Sequence, residues 1–322
     1  MKKKILFIAP DYYGFDEVIL SGLNEYSGHD ITMAVSVSTK KYIYRNFGER
    51  FKNFLSKTFL NKNLKKIHKR RKFISDINTH NFYDVILVNR PDILDAEIYN
   101  LIQTKTSKKV VLLWDSLEKI PGQKETLKYY DIKYSFDAEN CREFGLKKIN
   151  NFYFNEHLYN NNPIFDIVFL GTFDNRFNDL TIITNTLKKQ NINIHSFIYH
   201  HRDFIVEDEI KDNITKLSKI IPFKESYKIN EKGKIFLDLA HENQSGLSFR
   251  PFEALGCKRK LITTNKNIIN YDFYDSDNIF VIEDINDIDI PISFFTSPYK
   301  ELPMNIQQKY CFRSWINNIL DL

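Results

Sequence analysis

KIFLDLAHENQSGLSFRPFEALGCKRKLITTN, residues 234–265, is the most informative segment of the chain. Lys234 to Leu239 is a short apolar run, the length and composition of a buried strand. Ala240 to Leu247 carries the turn formers Asn243, Ser245 and Gly246. Ser248 is then a good N-cap, and Pro251 falls in the first helical turn, where its missing N–H costs nothing. Phe252, Ala254 and Leu255 suit a helix interior, and Gly256 is placed to stop the helix. Lys260 to Thr264 reads as the next strand. The sequence predicts strand, loop, helix, strand.

The loop and first turn carry the chemistry. A helix N-terminus offers free N–H groups and partial positive charge, an anion site ready made. Gly246 lets backbone approach a phosphate closely. Arg250 adds a planar fork suited to a diphosphate. Glu253, about one turn further on, can accept bonds from ribose hydroxyls. Together these residues fit a nucleotide diphosphate, while a capped helix with surface charges accounts for the same letters; context has to decide.

That context is a family resemblance. Gln244, Ser245, Gly246, Leu247, Arg250, Phe252 to Gly256, Lys258, Lys260 and Leu261 to Thr264 resemble the donor-site segment of bacterial GT-B glycosyltransferases. The nearest likeness is to polysaccharide and lipopolysaccharide transferases related to spore-maturation glycosyltransferases. The resemblance implies an α/β fold of two Rossmann-like, doubly wound domains facing a cleft, with a C-terminal helix crossing back. It implies a donor site in the C-terminal domain and an acceptor side in the N-terminal one. Gly171 and Arg176, after the first strand of the second domain, match the pattern for close approach to donor phosphates. Trp114-Asp115-Ser116 and Ser135-Phe136-Asp137 also have counterparts. Glu253 is placed like the second glutamate of retaining enzymes, although Glu242, eleven residues upstream, stands further off than the usual partner. In such enzymes leaving-group charge is met by helix dipole, N–H groups and basic side chains instead of a metal.

At 322 residues the chain is long enough for two domains, and 43% hydrophobic content supplies their cores. Cys141, Cys257 and Cys311 stand far apart with no metal-like spacing, which argues against a disulfide framework and fits a reducing cytoplasm. The start, MKKKILFIAP, has too short an apolar run for a signal peptide and reads as a first strand. No run approaches the roughly 20 apolar residues of a spanning helix.

The rest of the chain keeps a strand–helix rhythm that argues for parallel sheets. Ile5–Ala9, Ile31–Val37, Tyr83–Asn89, Lys109–Trp114 and Tyr130–Phe136 are predicted strands, then Phe165–Gly171, Ile192–Tyr199 and Asn278–Ile282. The first loop, with Asp11, lies at a carboxyl edge, where open sheets bind ligands, and Asp115 ends another strand. No GxGxxG follows the first strand. Asp137 is expected to cap the helix starting near Ala138. Residues 40–72 interleave aromatic residues with Lys and Arg around one acid, Glu49. Three readings compete for them: a helix with its aromatic face on the sheet and a solvated basic face, a patch touching an anionic membrane or a lipid-linked acceptor, and a nucleic-acid surface without a recognition motif. Asp275-Ser276-Asp277 and Asp287-Ile288-Asp289 fall in late polar loops, and no metal is expected there. His195, His200 and His201 have no metal-like partner set.

The expected division is an acceptor-side domain at 1–158, a donor domain at 159–304 and a helix at 305–322 returning to the first. The expected activity is sugar transfer from a nucleotide diphosphate sugar to a hydroxyl of a bacterial surface glycan, lipopolysaccharide, capsule or similar. Gly171, Arg176, Gln244, Ser245, Gly246, Arg250 and Glu253 are the donor-binding candidates. Asp11 and Asp115 are the candidates for the base. No cofactor or metal is expected beyond the donor itself. The expected partners are that donor, a glycan or lipid-linked glycan acceptor, and an anionic membrane met through 40–72, with no nucleic acid. The expected location is cytoplasmic, peripheral at the inner face of the cell membrane. A non-catalytic binding subunit of a glycan assembly system and a sugar-nucleotide epimerase are the alternatives.

Overall fold

The computed structural model describes residues 2–59, 62–154, 162–241 and 245–320. The chain divides into two compact units, Met1–Ser135 with Glu143–Lys147, and Phe136–Arg142 with Lys148–Leu322. Part of the predicted linker, 155–161, lies outside the described residues.

The first unit runs β1 (Lys4–Ala9), α1 (Phe15–Tyr26), β2 (Asp30–Val35), α2 (Phe47–Phe59), α3 (Leu64–Ile77), β3 (Val85–Asn89), α4 (Ala96–Gln103), β4 (Lys109–Leu113), α5 (Gln123–Thr126) and β5 (Ile132–Ser135). Next come α6 (Ala138–Phe144) and the two-residue β6 (Lys147–Lys148). The sheet order is β2-β1-β3-β4-β5-β6, and the pairings from β2 to β5 are parallel. Ile5–Ala9, Val85–Val88 and Val110–Leu113 are buried along their whole length. Continuous apolar runs of this kind belong to parallel strands covered on both faces.

The second unit runs β7 (Phe165–Thr172), α7 (Phe177–Lys189), β8 (Ile194–Tyr199), β9 (Ile214–Leu217), α8 (Tyr227–Asn230), β10 (Gly233–Asp238), α9 (Phe249–Gly256), β11 (Lys260–Thr263), β12 (Ile279–Val281), α10 (Ile292–Thr296), α11 (Met304–Lys309) and α12 (Phe312–Leu320). Its sheet order is β12-β11-β10-β7-β8-β9, with every pairing parallel. Successive strand residues feed opposite cores, as the period of two requires. Ile167, Phe169, Ile235, Leu237 and Ile262 pack with Leu180, Ile183 and Leu187 of α7 on one face. Val168, Phe236 and Leu261 pack with Phe252, Ala254 and Leu255 of α9 on the other. Helices on both faces of a parallel sheet make the unit doubly wound. Phe312 of α12 stacks on Phe152 and Trp315 packs tilted against it, at centroid distances of 4.6 and 4.8 Å.

Two local expectations change. Gly256 ends α9 as predicted, but it is not the left-handed stop; Lys258, at φ 49°, takes that conformation. Glycine is required at 256 because Tyr153 lies over it: a Cβ there would come 2.2 Å from the Tyr153 ring. Within residues 40–72 lie α2 and the first part of α3, with Asn63 capping α3 by accepting from Lys65 and Lys66 N–H. Only α3 faces the core with its apolar residues, Phe73 and Ile77. The aromatic residues of α2 are exposed, which goes against the first of the three readings, an aromatic face packed on the sheet.

Candidate functional site

In the second unit the strand order reverses between β7 and β10. Ligands of open parallel sheets bind in the crevice outside the carboxyl ends of the two strands at such a reversal. Arg250 and Arg176 meet this edge from opposite sides. Arg250, in the first turn of the helix after β10, donates Nη2 to the Leu170 carbonyl of β7 at 3.0 Å. Arg176, at the start of the helix after β7, donates Nη1 to the Leu239 carbonyl beyond β10 at 2.8 Å. Each arginine therefore braces the other strand's end.

Carboxylates hold both forks. Arg250 Nη1 donates to Glu253 Oε2 at 2.7 Å, and Asn230 Nδ2 donates to the same oxygen at 3.1 Å. Ser226 Oγ donates to Glu253 Oε1 at 2.8 Å. Arg176 grips Asp174 with two parallel bonds of 2.9 and 2.6 Å. Burial alone would raise the Asp174 pKa, but the guanidinium outweighs it and holds the carboxyl below its usual range. Glu253 thus acts here as the keeper of Arg250, with its oxygens already shared among three donors.

The loop before α9 is tied down as firmly. Ser248 caps the helix by accepting from Arg250 N–H at 3.1 Å, and its own hydroxyl donates to Asp238 Oδ1 at 2.8 Å. Thr263 Oγ1 donates to the other Asp238 oxygen, joining β11 to the cap. Ser245 N–H and Gly246 N–H both point at Asp137 Oδ2, at 2.9 and 3.4 Å. Asp137 Oδ1 accepts from the N–H groups of Glu139 and Asn140, which is the helix cap predicted for it. A carboxylate of the chain itself therefore occupies the loop amides. Glycine at 246 is enforced by Phe136, whose ring would lie 2.5 Å from an added Cβ; at 171 the Phe169 ring does the same at 2.5 Å. Gln244 lies outside the described residues, as does Glu242. Cys257, behind α9, has its thiol pushed up to about 12 by burial, which makes it a poor nucleophile.

The first unit reverses its order between β1 and β3. Two non-glycine residues there hold left-handed backbone, Tyr13 after β1 and Arg90 after β3, each at φ 57°. Such residues concentrate at functional sites. Arg90 lies over the Tyr12 ring at 5.7 Å and grips Asp92 with bonds of 2.9 and 2.7 Å. Asp11 is here, but its oxygens accept from Ser38 Oγ, Thr39 N–H and Thr39 Oγ1 at 2.6–2.8 Å. Burial would raise its pKa, yet these bonds win and hold it below the usual range. Asp115, after β4, pairs with Lys119 Nζ at 2.6 Å and is about a quarter exposed. Phe15 and Trp114 bring the two loops together, rings 5.2 Å apart.

Reading the sequence missed Asp16. It sits buried in the first turn of α1, its Oδ1 without a hydrogen-bond partner among the described residues. Burial raises its pKa, and the neighbouring charges of Glu17 and Asp11 push the same way. Its place just after the β1 loop was the only available signal. Asp275 and Asp277, one of the Asp-x-Asp triplets, share Lys300 Nζ at 2.9 Å each. Among the described residues no cluster of His, Cys, Asp and Glu is composed to hold a metal.

No family model matches the chain. No curated protein matches it either. Solved structures do. AviGT4, a glycosyltransferase involved in avilamycin A biosynthesis, superposes over 99% of this chain and 96% of its own, with a TM-score of 0.60 and 6% identity. The fold is GT-B. TarM aligns with 74% of the chain at 16% identity and a TM-score of 0.48, and the chain spans 54% of TarM's length. A UDP-N-acetylglucosamine 2-epimerase from Rickettsia bellii aligns with 83% of this chain and 80% of its own at 11% identity, TM-score 0.47. At 6% identity the GT-B likeness is one of fold, and the reaction has to be argued from the site.

Proposed function

We propose that the chain transfers a sugar from a nucleotide diphosphate sugar to a hydroxyl of a bacterial surface glycan, such as lipopolysaccharide or capsule, without a metal. The observation that carries the reading is the pair of arginines braced across the β7/β10 reversal. When the glycosidic bond breaks, negative charge builds on the departing diphosphate. Fixed guanidinium groups and the α9 N-terminus would meet that charge without reorganising, which is how a site lowers a barrier by electrostatics. Arg250 and Arg176 would hold the phosphates, with Gly171, Ser245 and Gly246 beside them, and Gln244, outside the described residues, would add a donor contact. Glu253 would orient Arg250 and the ribose. The acceptor, a glycan free or lipid-linked, belongs to the carboxyl edge of the first unit. There Asp115, paired with a half-exposed lysine, suits the role of base better than Asp11, whose oxygens are engaged. The protein would work in the cytoplasm, against the inner face of the membrane through residues 40–72.

A second reading has its own observation: Asp137 already fills the Ser245 and Gly246 amides, as suits a non-catalytic member of a glycan assembly system. A thermal-shift screen against UDP, GDP, CMP, dTDP and ADP, with and without magnesium, separates the two. A nucleotide at a hundredfold its dissociation constant adds about 2.7 kcal/mol. Stabilisation by one diphosphate without magnesium supports the donor site. No shift with any of them sinks it in favour of the second reading.

A further inference from the structure

Helix α2 is amphipathic with its faces reversed. Its buried residues are the polar ones, Asn53 and Ser56. Asn53 is anchored on both sides, donating to Tyr44 OH at 3.0 Å and accepting from Leu64 N–H at 2.9 Å. Glu49 is held inward too, accepting from Tyr42 OH and Arg45 N–H at 2.6 Å each. The apolar residues point away: Phe47, Phe51, Phe54 and Leu55 are 79%, 52%, 62% and 37% exposed. Their spacing, i, i+4, i+7 and i+8, puts them on one stripe. At 100° per residue Arg50 and Lys57 flank that stripe on one side and Lys52 on the other, all three exposed.

Charge is segregated in the same place. Residues 40–72 carry 13 Lys and Arg against one acid, while the rest of the chain has 33 Lys and Arg against 40 Asp and Glu. A stripe of aromatic rings bordered by cations matches the boundary between anionic headgroups and acyl chains. A second copy of the same face would bring like charges together, which argues against self-pairing.

We propose that α2 docks flat on an anionic lipid bilayer. Phe47, Phe51, Phe54 and Leu55 enter the headgroup–acyl boundary, and Arg50, Lys52 and Lys57 lie on the phosphates. The polar anchors keep the helix on the protein while its apolar face is in the lipid. This deepens the membrane part of the proposed function, and it needs neither nucleotide nor transfer.

The test is sedimentation of the full chain with vesicles of phosphatidylcholine alone or mixed with phosphatidylglycerol. The parent is expected to bind the mixed vesicles only, and to keep part of that binding at high salt. The triple variant R50Q/K52Q/K57Q should lose roughly a hundredfold in partitioning, at about 1 kcal/mol per basic side chain. The triple variant F47S/F51S/F54S alters exposed residues only, so its melting curve should match the parent's, and its remaining binding should vanish at high salt. The proposal is overturned if that variant partitions like the parent at every salt concentration, or if the parent does not distinguish the two vesicles. It is also overturned if the aromatic variant changes only the oligomeric state, or if only RNA binding responds to the charge variant. Nucleotide thermal shifts on the same variants report separately on the donor site.

Discussion

Replacing Arg250 by alanine tests the brace and the donor site together. The side chain is 13% exposed and that of Glu253 12%, so water supports the pair only weakly. The substitution removes the bond to Glu253 at 2.7 Å and the bond to the Leu170 carbonyl at 3.0 Å. Both bonds leave the charged guanidinium, and a hydrogen bond of that kind contributes at most about 1.5–3 kcal/mol. Glu253 is not orphaned, because Ser226 and Asn230 still donate to it. The loss should therefore fall near 2–4 kcal/mol, below the worst case of a stranded buried charge. For a unit of this size that lowers Tm by roughly 5–15 °C. Nucleotide affinity, measured by calorimetry well below the new Tm, should fall about 10- to 150-fold if the fork also holds phosphate. R250K should recover part of the stability, since an ammonium can serve only some of the fork's partners. An unchanged Tm refutes the brace. A lowered Tm with unchanged nucleotide affinity leaves the brace standing and removes Arg250 from the donor site.

Two further substitutions read the first unit by pH. Asp11 has a folded-state pKa below its unfolded value, so its contribution is present above the unfolded value and is lost as pH falls through the folded one. D11N should lower Tm at neutral pH, and the gap to the parent should close on acidification; a gap independent of pH would discredit the hydrogen-bonded carboxylate. Asp16 is the opposite case: its folded pKa is raised, so its contribution is complete below the unfolded value and is lost as pH rises through the folded one. D16N should match the parent in acid and exceed it in Tm at neutral pH, and a less stable D16N at neutral pH would count against a desolvated acid there.

The fold was legible because its signals are local. Apolar runs such as Val110–Leu113 and Phe165–Leu170 mark parallel strands, and the Ser248 cap with Pro251 marks the start of a helix. Sheet order was not legible, and with it the edge that Arg176 and Arg250 share: 74 residues apart in sequence, each reaches the other's strand end because β7 and β10 are neighbours. The pairing of Arg250 with Glu253 was open to view, since three residues is one helical turn; they were read instead as separate ligands. Gly246 and Gly256 stand out in the sequence, but the crowding that calls for glycine there, from Phe136 and Tyr153, is tertiary. Residues 40–72 leave three readings open because periodicity shows that a helix has an apolar stripe without showing which way it points. That direction is set by Asn53, whose two partners lie outside α2.

The crowded hydrogen bonding of the β7/β10 edge bears on whether it can take a ligand at all. A guanidinium has five N–H groups. Among the described residues Arg250 commits two of them and Arg176 three, so each fork keeps donors after its internal partners are served. The internal bonds run to carboxylates and to backbone carbonyls at the strand ends, which holds each plane in one orientation. A diphosphate arriving there would meet oriented charge without waiting for two long side chains to order, and lost side-chain freedom is a main cost of binding. Asp137 is different in kind. It takes amide hydrogens, of which each residue has only one, so a phosphate seeking the Ser245 and Gly246 N–H groups would have to displace it. The arginines can accept an anion as they stand; the loop amides can do so only by exchange. Phosphate binding should therefore rest first on the two forks.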